Sequence, residues 1–246
     1  MGARQRLGKA ALCAVLLLAA ARSGASTVWE PIARLSLEGG YDTNVLHDGE
    51  SSDRMTRVSP ELGLRLRDHL WDARLAYGAD WIVYERLAPN GIWNHRGSFL
   101  FEATPTRRLE LQANLRGGWM FDSIGLAQAG IFRAGRDSAF VLSGTARGEY
   151  RLTPRLDVAT TLTERTVRFQ DGTGGAMHAP GLEALWRATP RLSVGGAYAL
   201  GLFQDFGPGG DGLASSHGAR ARARWRATRH LTVEGAAGPA LWIGGG

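Results

Sequence analysis

Apolar and polar residues alternate through most of the chain after residue 32, in eleven stretches that each predict a β-strand. Alternation with period two places successive side chains on opposite faces of an extended chain. In the first stretch, for example, Leu35 and Leu37 share one face while Ser36 and Glu38 share the other. The predicted strands span residues 33–42, 58–67, 71–83, 97–103, 109–122, 140–152, 156–169, 177–188, 192–203, 217–227 and 231–242. The sequence therefore predicts an all-β protein whose strands each have one apolar and one polar face.

A five-residue pattern recurs between these strands and predicts tight turns. It reads Ala-Thr-Pro-Arg-Leu at 188–192, and altered copies occupy 66–70, 103–109, 152–156 and 227–231. Proline fixes φ and has no N–H to donate, so it suits a turn and interrupts a paired strand. Turns are expected at 67–69, 105–108, 153–155, 189–191 and 228–230, and longer loops near 46–56, 85–93, 123–137, 170–176 and 204–216. Such a chain is a string of hairpins with short turns at one end and long loops at the other.

The strand at 156–169 changes phase at Glu164, which falls on the apolar face after Leu156, Val158 and Leu162. A β-bulge would restore the phase, and so would the emergence of the strand from apolar surroundings. The pattern leaves both explanations open.

Aromatic residues on the apolar face decide between two architectures. A soluble β-sandwich or propeller turns its apolar face to a core, whereas a membrane barrel turns it to lipid and lines a lumen with the polar face. Aromatic rings gather at both membrane interfaces, but a core has no reason to sort them to the strand ends. Here Trp71, Tyr150, Trp186 and Trp225 stand beside short turns, and Tyr41, Trp81, Trp119, Phe121 and Phe203 stand beside long loops. We therefore expect an antiparallel up-and-down transmembrane β-barrel with two aromatic girdles.

The first 25 residues have the layout of a secretory signal peptide. Three cations precede an apolar segment over 10–21, and Ser23-Gly24-Ala25 supplies small residues before the cleavage point. The apolar segment is too short to cross a bilayer as a helix. We expect removal of residues 1–25 and a mature barrel over residues 26–246 in the outer membrane of a Gram-negative cell.

Composition narrows the class further. The 34 glycines are about twice the usual share, which fits β structure with many turns. The net charge of +6 falls to +2 when the four cations of residues 1–25 are removed. No recognition motif rich in Lys or Arg is present, so nucleic acid is not an expected partner. Cys13 is the one cysteine and leaves with the signal peptide, so a disulfide framework and a Cys-based metal site are excluded from the mature chain.

Export also sets the orientation and raises a question of strand number. The signal peptide delivers the first strand from the periplasm, so the short turns are expected on the periplasmic side and the long loops outside. The eleventh strand then runs outward, although a bacterial single-chain barrel closes with an even number of strands. We therefore expect an open or incomplete barrel, a fragment that lacks C-terminal strands.

The segment Gly40-Tyr41-Asp42-Thr43-Asn44-Val45 closes the first strand shortly after the signal peptide. It resembles the opening strand of the outer-membrane β-barrel porin families found beside exopolysaccharide synthesis and export loci, and the Thr-Pro-Arg-Leu turns resemble theirs. The resemblance implies a barrel larger than eleven strands and a function in the passage or anchoring of secreted polysaccharide.

The tenth strand carries a ladder of basic residues on its polar face, namely Arg220, Arg222, Arg224 and Arg226. The expected neighbours on strand nine, at 193, 195, 197 and 199, supply no carboxylate, and Glu234 on strand eleven is the nearest candidate partner. A cationic ladder in a pore wall would concentrate anions and favour acidic sugars or small anions. The alternative, which we favour, is an ordinary polar lumen in which carboxylates of other strands, Glu183 among them, neutralise the ladder.

No catalytic or cofactor-binding pattern is found. The sequence has no Gly-x-Ser-x-Gly, His-Glu-x-x-His or phosphate-binding glycine loop. Alternation places His95 and Ser98 on opposite faces, which argues against a catalytic pair. The oxygen-rich segment at 42–53 does not match the spacing of an EF-hand, so no metal site is expected. We expect a protein that is not an enzyme and holds no cofactor.

Two functions follow from the polar lumen, and an outer-membrane enzyme is the third and least expected one. The first is a porin-like channel associated with polysaccharide export. The alternative is a structural or assembly barrel, with a plugged pore, that binds surface polymer or a periplasmic partner. The expected partners are membrane lipid, the outer-membrane assembly machinery, and polysaccharide or small anionic solutes.

Overall fold

The computed structural model describes residues 27–42, 52–86, 88–121, 138–207 and 212–244, and these ranges form a single antiparallel β-sheet. The strands are β1 (Val28–Asp42), β2 (Asp53–Arg67), β3 (Trp71–Tyr84), β4 (Ala88–Thr106), β5 (Leu109–Met120), β6 (Ala139–Thr153), β7 (Leu156–Phe169), β8 (Gly174–Arg187), β9 (Leu192–Phe206), β10 (Leu213–Arg226), β11 (Thr232–Ala237) and β12 (Ala240–Ile243). Each strand from β1 to β11 pairs with the next in chain order, so the predicted all-β up-and-down fold is confirmed. The predicted signal peptide lies outside the described residues.

The strands β11 and β12 together occupy the place of the single eleventh strand that the sequence predicts. Both pair with β10 in one register, as Arg224 opposite Glu234 and Ser216 opposite Trp242 show. The interruption falls at Pro239, whose nitrogen has no hydrogen to donate to the ladder. Among the described residues no pairing joins β1 to β11, so this sheet is open, with β1 at one edge.

Exposure is inverted relative to a soluble protein. We call the side of the sheet that carries Leu37, Leu62 and Leu75 the apolar face, and there these leucines expose 73%, 65% and 60% of their surface. The opposite side, the polar face, carries Arg57 and Asp80, which expose only 8% and 7%. Large apolar side chains of one face are therefore exposed, while some charged side chains of the other face are buried.

The sheet curves around its polar face. A cavity of about 720 Å³ is lined by residues of all seven strands from β2 to β8, among them Glu61, Arg96, Asn114 and Thr163. Seven consecutive strands can line one cavity only if the sheet bends toward that side. The apolar face is therefore the convex surface.

The short turns lie at one end of the sheet, which we call the turn end, and four of them share a threonine contact, whereas in the turn at 68–70 Asp68 Oδ1 accepts a hydrogen bond from the backbone N–H of Leu70 at 3.3 Å. Thr153 Oγ1 accepts hydrogen bonds from the backbone N–H groups of Arg155 and Leu156, at 3.2 and 3.0 Å. Thr106, Thr189 and Thr228 make the same pair of contacts in their own turns. The hydroxyl thus satisfies donors that the turn removes from the ladder. In these four turns the common residue is the threonine and not the proline, since two of them, at 106–109 and 228–231, have no proline between Thr and Leu.

The opposite end, the loop end, differs from the sequence prediction at residues 85–93. These residues were expected to form a long loop, but β4 begins at Ala88 and pairs with the end of β3. The Pro89-Asn90-Gly91 segment, a typical turn signal, sits instead at a register shift between Ile82 and Tyr84. Gly91 has φ +74°, a value that glycine adopts without strain. A local irregularity therefore absorbs the turn-forming residues without ending the strand.

Glu164 stays on the apolar face. The pairing of β7 with β8 runs without a register shift from Leu156 opposite Trp186 to Arg168 opposite Gly174. The β-bulge that would have restored the phase is therefore absent from this hairpin. The Glu164 carboxylate contacts the ring nitrogen Nδ1 of His178, its neighbour across the strand pair.

Candidate functional site

The polar face is the candidate functional surface, and most of its charges are paired between neighbouring strands. The guanidinium of Arg65 on β2 makes a bidentate contact with Asp72 on β3, with Nε to Oδ1 at 3.0 Å. Arg96 reaches Asp80 at 3.2 Å, and Arg187 reaches Asp157 at 2.7 Å. Arginine suits such pairs because its planar fork matches a carboxylate. The result is a wall of charged side chains with little net charge over β2 to β8.

The predicted basic ladder is assembled as the alternation requires. Arg220, Arg222 and Arg224 stand opposite Ala197, Gly195 and Ser193 of β9, which offer no carboxylate. Arg226 follows at the turn end of the same face.

Two of the four guanidinium groups have carboxylate partners from strands other than β9. Arg224 Nε lies 2.6 Å from Glu234 on β11. Arg222 Nη1 lies 2.5 Å from Glu183 on β8, across the whole width of β9, and its Nη2 lies 3.7 Å from Glu234. Within the described part of the chain, Arg220 and Arg226 form no ion pair. Two of the four cations of the ladder therefore have a carboxylate partner, and the ladder is half neutralised.

The predicted turn-end aromatics lie on the apolar face. Tyr150, Trp186 and Trp225 stand opposite Leu109, Leu156 and Leu192 of the neighbouring strands, and all three are exposed. Trp71 is half-buried and stands opposite Ala103.

At the loop end, Tyr41, Trp81, Trp119 and Phe121 are exposed, and the structure adds two aromatic residues to them. Trp93 stacks with Trp81 at a centroid distance of 6.3 Å, and Phe140 contacts Trp119 at 6.5 Å. Trp93 lies on β4, which pairs with the strand of Trp81, and Phe140 lies on β6, which pairs with the strand of Trp119.

Phe203 is not part of this outer band, and the prediction that it stands on the apolar face is wrong. It pairs with Met177 of β8 and with Ala214 of β10, in the same phase as Ser193 and Gly195. Leu202 and Gln204, which precede and follow Phe203 in β9, lie on the apolar face, and Phe203 between them lies on the polar face. Two adjacent apolar residues, Leu202 and Phe203, made the face of each ambiguous from the sequence.

Phe203 belongs to a set of apolar residues that the sequence analysis missed. At the loop end the polar face becomes apolar, and its residues pack in two small clusters. One consists of Met55, Ile82, Tyr84, Ala88 and Ile92, and the other consists of Met120, Ala139, Val141, Val167 and Phe169. We call these two clusters, together with Met177, Phe203 and Trp242, the apolar collar. In the sequence, the collar is indicated by runs of consecutive apolar residues that do not alternate with polar ones, such as Trp81-Ile82-Val83-Tyr84.

A second cavity, of about 440 Å³, opens beside the collar at the loop end of β7 to β10. It is lined by Val167, Met177 and Phe203 together with the charged residues Arg165 and Asp205. Arg165 and Met177 also line the larger cavity, so the two spaces adjoin. The polar surface of the larger cavity thus continues into an apolar region at the loop end.

Three polar pairs interrupt the apolar face, two of them near the middle of their strands and the third closer to the loop end. The Tyr77 hydroxyl lies 2.7 Å from His95 Nδ1, and the Tyr198 hydroxyl lies 2.7 Å from His217 Nδ1. Glu164 and His178 form the third pair. Each pair joins two adjacent strands, so none of these polar groups stands alone on the convex surface.

The part of the chain that the structure describes contains no group of three or more His, Cys, Asp or Glu side chains placed to hold a metal ion. Of the oxygen-rich segment at 42–53, residues 43–51 lie outside the described ranges. No helix within the described ranges is long and apolar enough to cross a membrane.

No protein-family profile and no curated protein matches the chain. Solved structures do match it. The chain is 8% identical to OmpTdeltaL8, a loop-deletion mutant of OmpT, an outer membrane protein of Vibrio cholerae, with a TM-score of 0.46 over 88% of this chain and 94% of that one. The Pseudomonas putida toluene transporter TodX is 12% identical, with a TM-score of 0.39 over 87% of this chain and 73% of that one. A deltaS2 mutant of TodX, titled a monoaromatic hydrocarbon channel, is 11% identical, with a TM-score of 0.39 over 88% of this chain and 72% of that one.

Proposed function

We propose that this protein is a porin-like channel of the outer membrane, in which the convex apolar face meets lipid and the concave polar face lines a water-filled lumen. The observation that carries the proposal is the inverted exposure of the two faces. Leu37, Leu62 and Leu75 are more exposed than Arg57 and Asp80. A lipid environment explains both halves of this pattern, since acyl chains solvate leucine on the convex side and the concave side encloses charges that pair with each other, Arg57 with Glu38 at 3.4 Å and Asp80 with Arg96 at 3.2 Å.

The energetics disfavour the same sheet in water. Burial of one leucine or valine side chain contributes about 1.5–3 kcal/mol relative to its exposure. A soluble protein with these leucines, valines and tryptophans exposed along one continuous convex face would forgo that contribution at each of them. In a bilayer the contribution is recovered without a protein core, which agrees with the small size of the two buried apolar clusters.

The aromatic residues at both ends of the apolar face support the same placement. Rings at the turn end and the loop end match the positions that Trp and Tyr prefer at the two membrane interfaces. In this orientation the turn end faces the periplasm, the lipid is the protein's largest partner, and the outer-membrane assembly machinery inserts it. Transport of this kind needs no catalytic group and no cofactor.

For the solute, we favour secreted polysaccharide. The lumen wall presents paired charges and hydroxyl groups over β2 to β8. Such a wall suits a hydrophilic polymer that moves along the lumen without binding tightly at one point. The half-neutralised ladder adds a local positive field at Arg220 and Arg226 that would attract acidic sugars. The resemblance of Gly40-Tyr41-Asp42-Thr43-Asn44-Val45 to barrels beside exopolysaccharide export loci points to the same class of solute.

Liposome swelling tests the proposal. The full-length protein is refolded into liposomes and challenged with neutral and acidic oligosaccharides, with protein-free liposomes as the control. An open channel admits solute and causes swelling, and acidic oligosaccharides should enter at least as fast as neutral ones of equal length. If the protein inserts but no solute enters, the plugged structural barrel is correct and the channel is rejected.

A further inference from the structure

Two aromatic rings on the polar face form a stacked pair across one strand. The centroids of Phe203 on β9 and Trp242 on β12 lie 5.0 Å apart, and their planes differ by 26°. Ser216 of β10 stands between them, opposite Gly201 on one side and opposite Trp242 on the other. The two rings therefore meet above a small residue, on the side of the sheet that otherwise carries charges.

The residues of the sheet next to the two rings, Gly201 and Ser216, are small. A Cβ added at Gly201 would lie 2.9 Å from the Phe203 ring and would also meet the Ser216 hydroxyl. A larger residue at this position would require the Phe203 ring and the Ser216 hydroxyl to shift from the places they occupy. The ring pair is thus held in a recess of Gly201 and Ser216, with Trp242 still 64% exposed.

The adjoining cavity combines this platform with polar groups. Phe203 and Met177 line it on one side, and Arg165 and Asp205 supply charged, planar groups that hydrogen-bond. Ligand sites commonly pair an apolar surface with a few polar groups that fix orientation. A hydrocarbon would contact only the apolar part of this lining, whereas a ring with one apolar face and hydroxyl groups at its edge would contact both the apolar part and the polar groups of Arg165 and Asp205.

We propose that Phe203, Trp242 and Met177 form a sugar-binding subsite at the loop end of the lumen, in which the C–H face of a pyranose ring lies on the aromatic surface and Arg165 and Asp205 bond its hydroxyl groups. The proposal rests on the proposed channel function, which it deepens by naming the class of solute that the lumen holds. A saccharide entering from the larger cavity would pass Arg165 and Met177 first, since both residues line both spaces.

Single-channel recording with maltohexaose as the probe tests the subsite. In the wild type the sugar should block the current reversibly. In Phe203→Ala and Trp242→Ala the apparent Kd for block should rise about tenfold, which corresponds to the loss of one stacking contact. Trp242→Phe keeps a ring and should retain most of the block. Phe140→Ala removes an aromatic residue from the apolar face at the same end, and its Kd should equal that of the wild type.

The outcomes separate the two proposals. Conducting wild-type channels that maltohexaose does not block, or that only benzyl alcohol blocks, overturn the subsite and leave the channel function standing. If the protein does not conduct, the channel function fails, and quenching of tryptophan fluorescence by maltohexaose in detergent then decides the subsite. If maltohexaose quenches the fluorescence of the wild type but not that of Trp242→Phe, the subsite is supported. If maltohexaose does not change the fluorescence of the wild type, the subsite is overturned. If Phe203→Ala does not fold, as judged by circular dichroism, the Trp242 variants carry the test because that side chain is largely exposed.

Discussion

The carboxylate of Glu183 lies 2.5 Å from the guanidinium of Arg222, although the two residues belong to strands β8 and β10, which do not pair with each other. The same carboxylate lies 3.8 Å from Arg147 on β6. Its Oε1 atom has no aligned hydrogen-bond donor among the described residues, so its contact with Arg222 is chiefly one of charge. One acidic residue thus balances cations on both sides of its own strand.

Replacement of this carboxylate should change the ion selectivity of the channel. Glu183→Gln keeps the shape of the side chain but leaves Arg222 and Arg147 with less negative charge nearby. The permeability of chloride relative to potassium should rise roughly twofold, because the positive field in the lumen is no longer offset there. The reversal potential in a potassium chloride gradient measures it.

Glu110→Gln is the matched control for this experiment. Glu110 lies on the same face and accepts a hydrogen bond from Gln112 at 2.8 Å, but it has no arginine partner among the described residues. An equal selectivity shift in both variants would mean that total lumen charge, and not the Glu183 contact, sets the selectivity.

The orientation of the two faces predicts opposite outcomes for adjacent residues of β7. Leu162 lies on the exposed apolar face, and Thr163 lines the cavity on the polar face. Leu162→Arg should lower the free energy of unfolding from liposomes by about 2–4 kcal/mol, because the guanidinium would enter the acyl region. Thr163→Arg should lower it by less than about 1 kcal/mol, since the lumen is hydrated. Urea titration in liposomes gives both values, and equal costs would contradict the lipid-facing assignment.

The sequence predicted the fold because alternation survives wherever one face meets an apolar medium and the other meets water. It failed where both faces are apolar. At Ile82, Tyr84 and Phe203 the polar face carries apolar residues next to outward ones, so period two disappears and the face of each residue cannot be read. The apolar collar, and with it the Phe203–Trp242 pair, therefore became visible only through the strand register.

The basic ladder shows a different limit. Alternation correctly placed Arg220 to Arg226 on one face and named Ala197, Gly195 and Ser193 as neighbours. It identified Glu183 only as one of many carboxylates across the lumen. The contact between Glu183 and Arg222 depends on two registers, that of β8 with β9 and that of β9 with β10, which together set where β8 lies along β10. A one-residue change in either register would turn Glu183 or Arg222 to the other face.

The threonine contacts predict the stability of the turns. Thr153→Ala removes an acceptor of two backbone N–H groups and should lower the free energy of unfolding by about 1 kcal/mol. Thr153→Ser keeps the hydroxyl and should restore most of it. Because Thr189 makes the same contacts, Thr189→Ala should cost a similar amount. Unfolding in urea measures these changes. A cost confined to Pro154→Ala would show instead that proline governs the turn.

Gly91 provides a test of the unexpected strand segment at the loop end. Its φ of +74° lies in the left-handed region, and a Cβ there would meet the indole ring of Trp81. Gly91→Ala therefore combines backbone strain with a steric clash, and we expect a loss of about 1–3 kcal/mol in the free energy of unfolding. Gly39→Ala is the control, since nothing lies within 4 Å of its Cβ and the strand is regular there. It should change stability by less than about 1 kcal/mol. If residues 88–93 formed a loop free of β3, alanine would be tolerated at both glycines and the fluorescence of Trp81 would not respond. A larger loss at Gly91 than at Gly39, together with an altered Trp81 emission, would place the extended β4 against β3 in the folded protein.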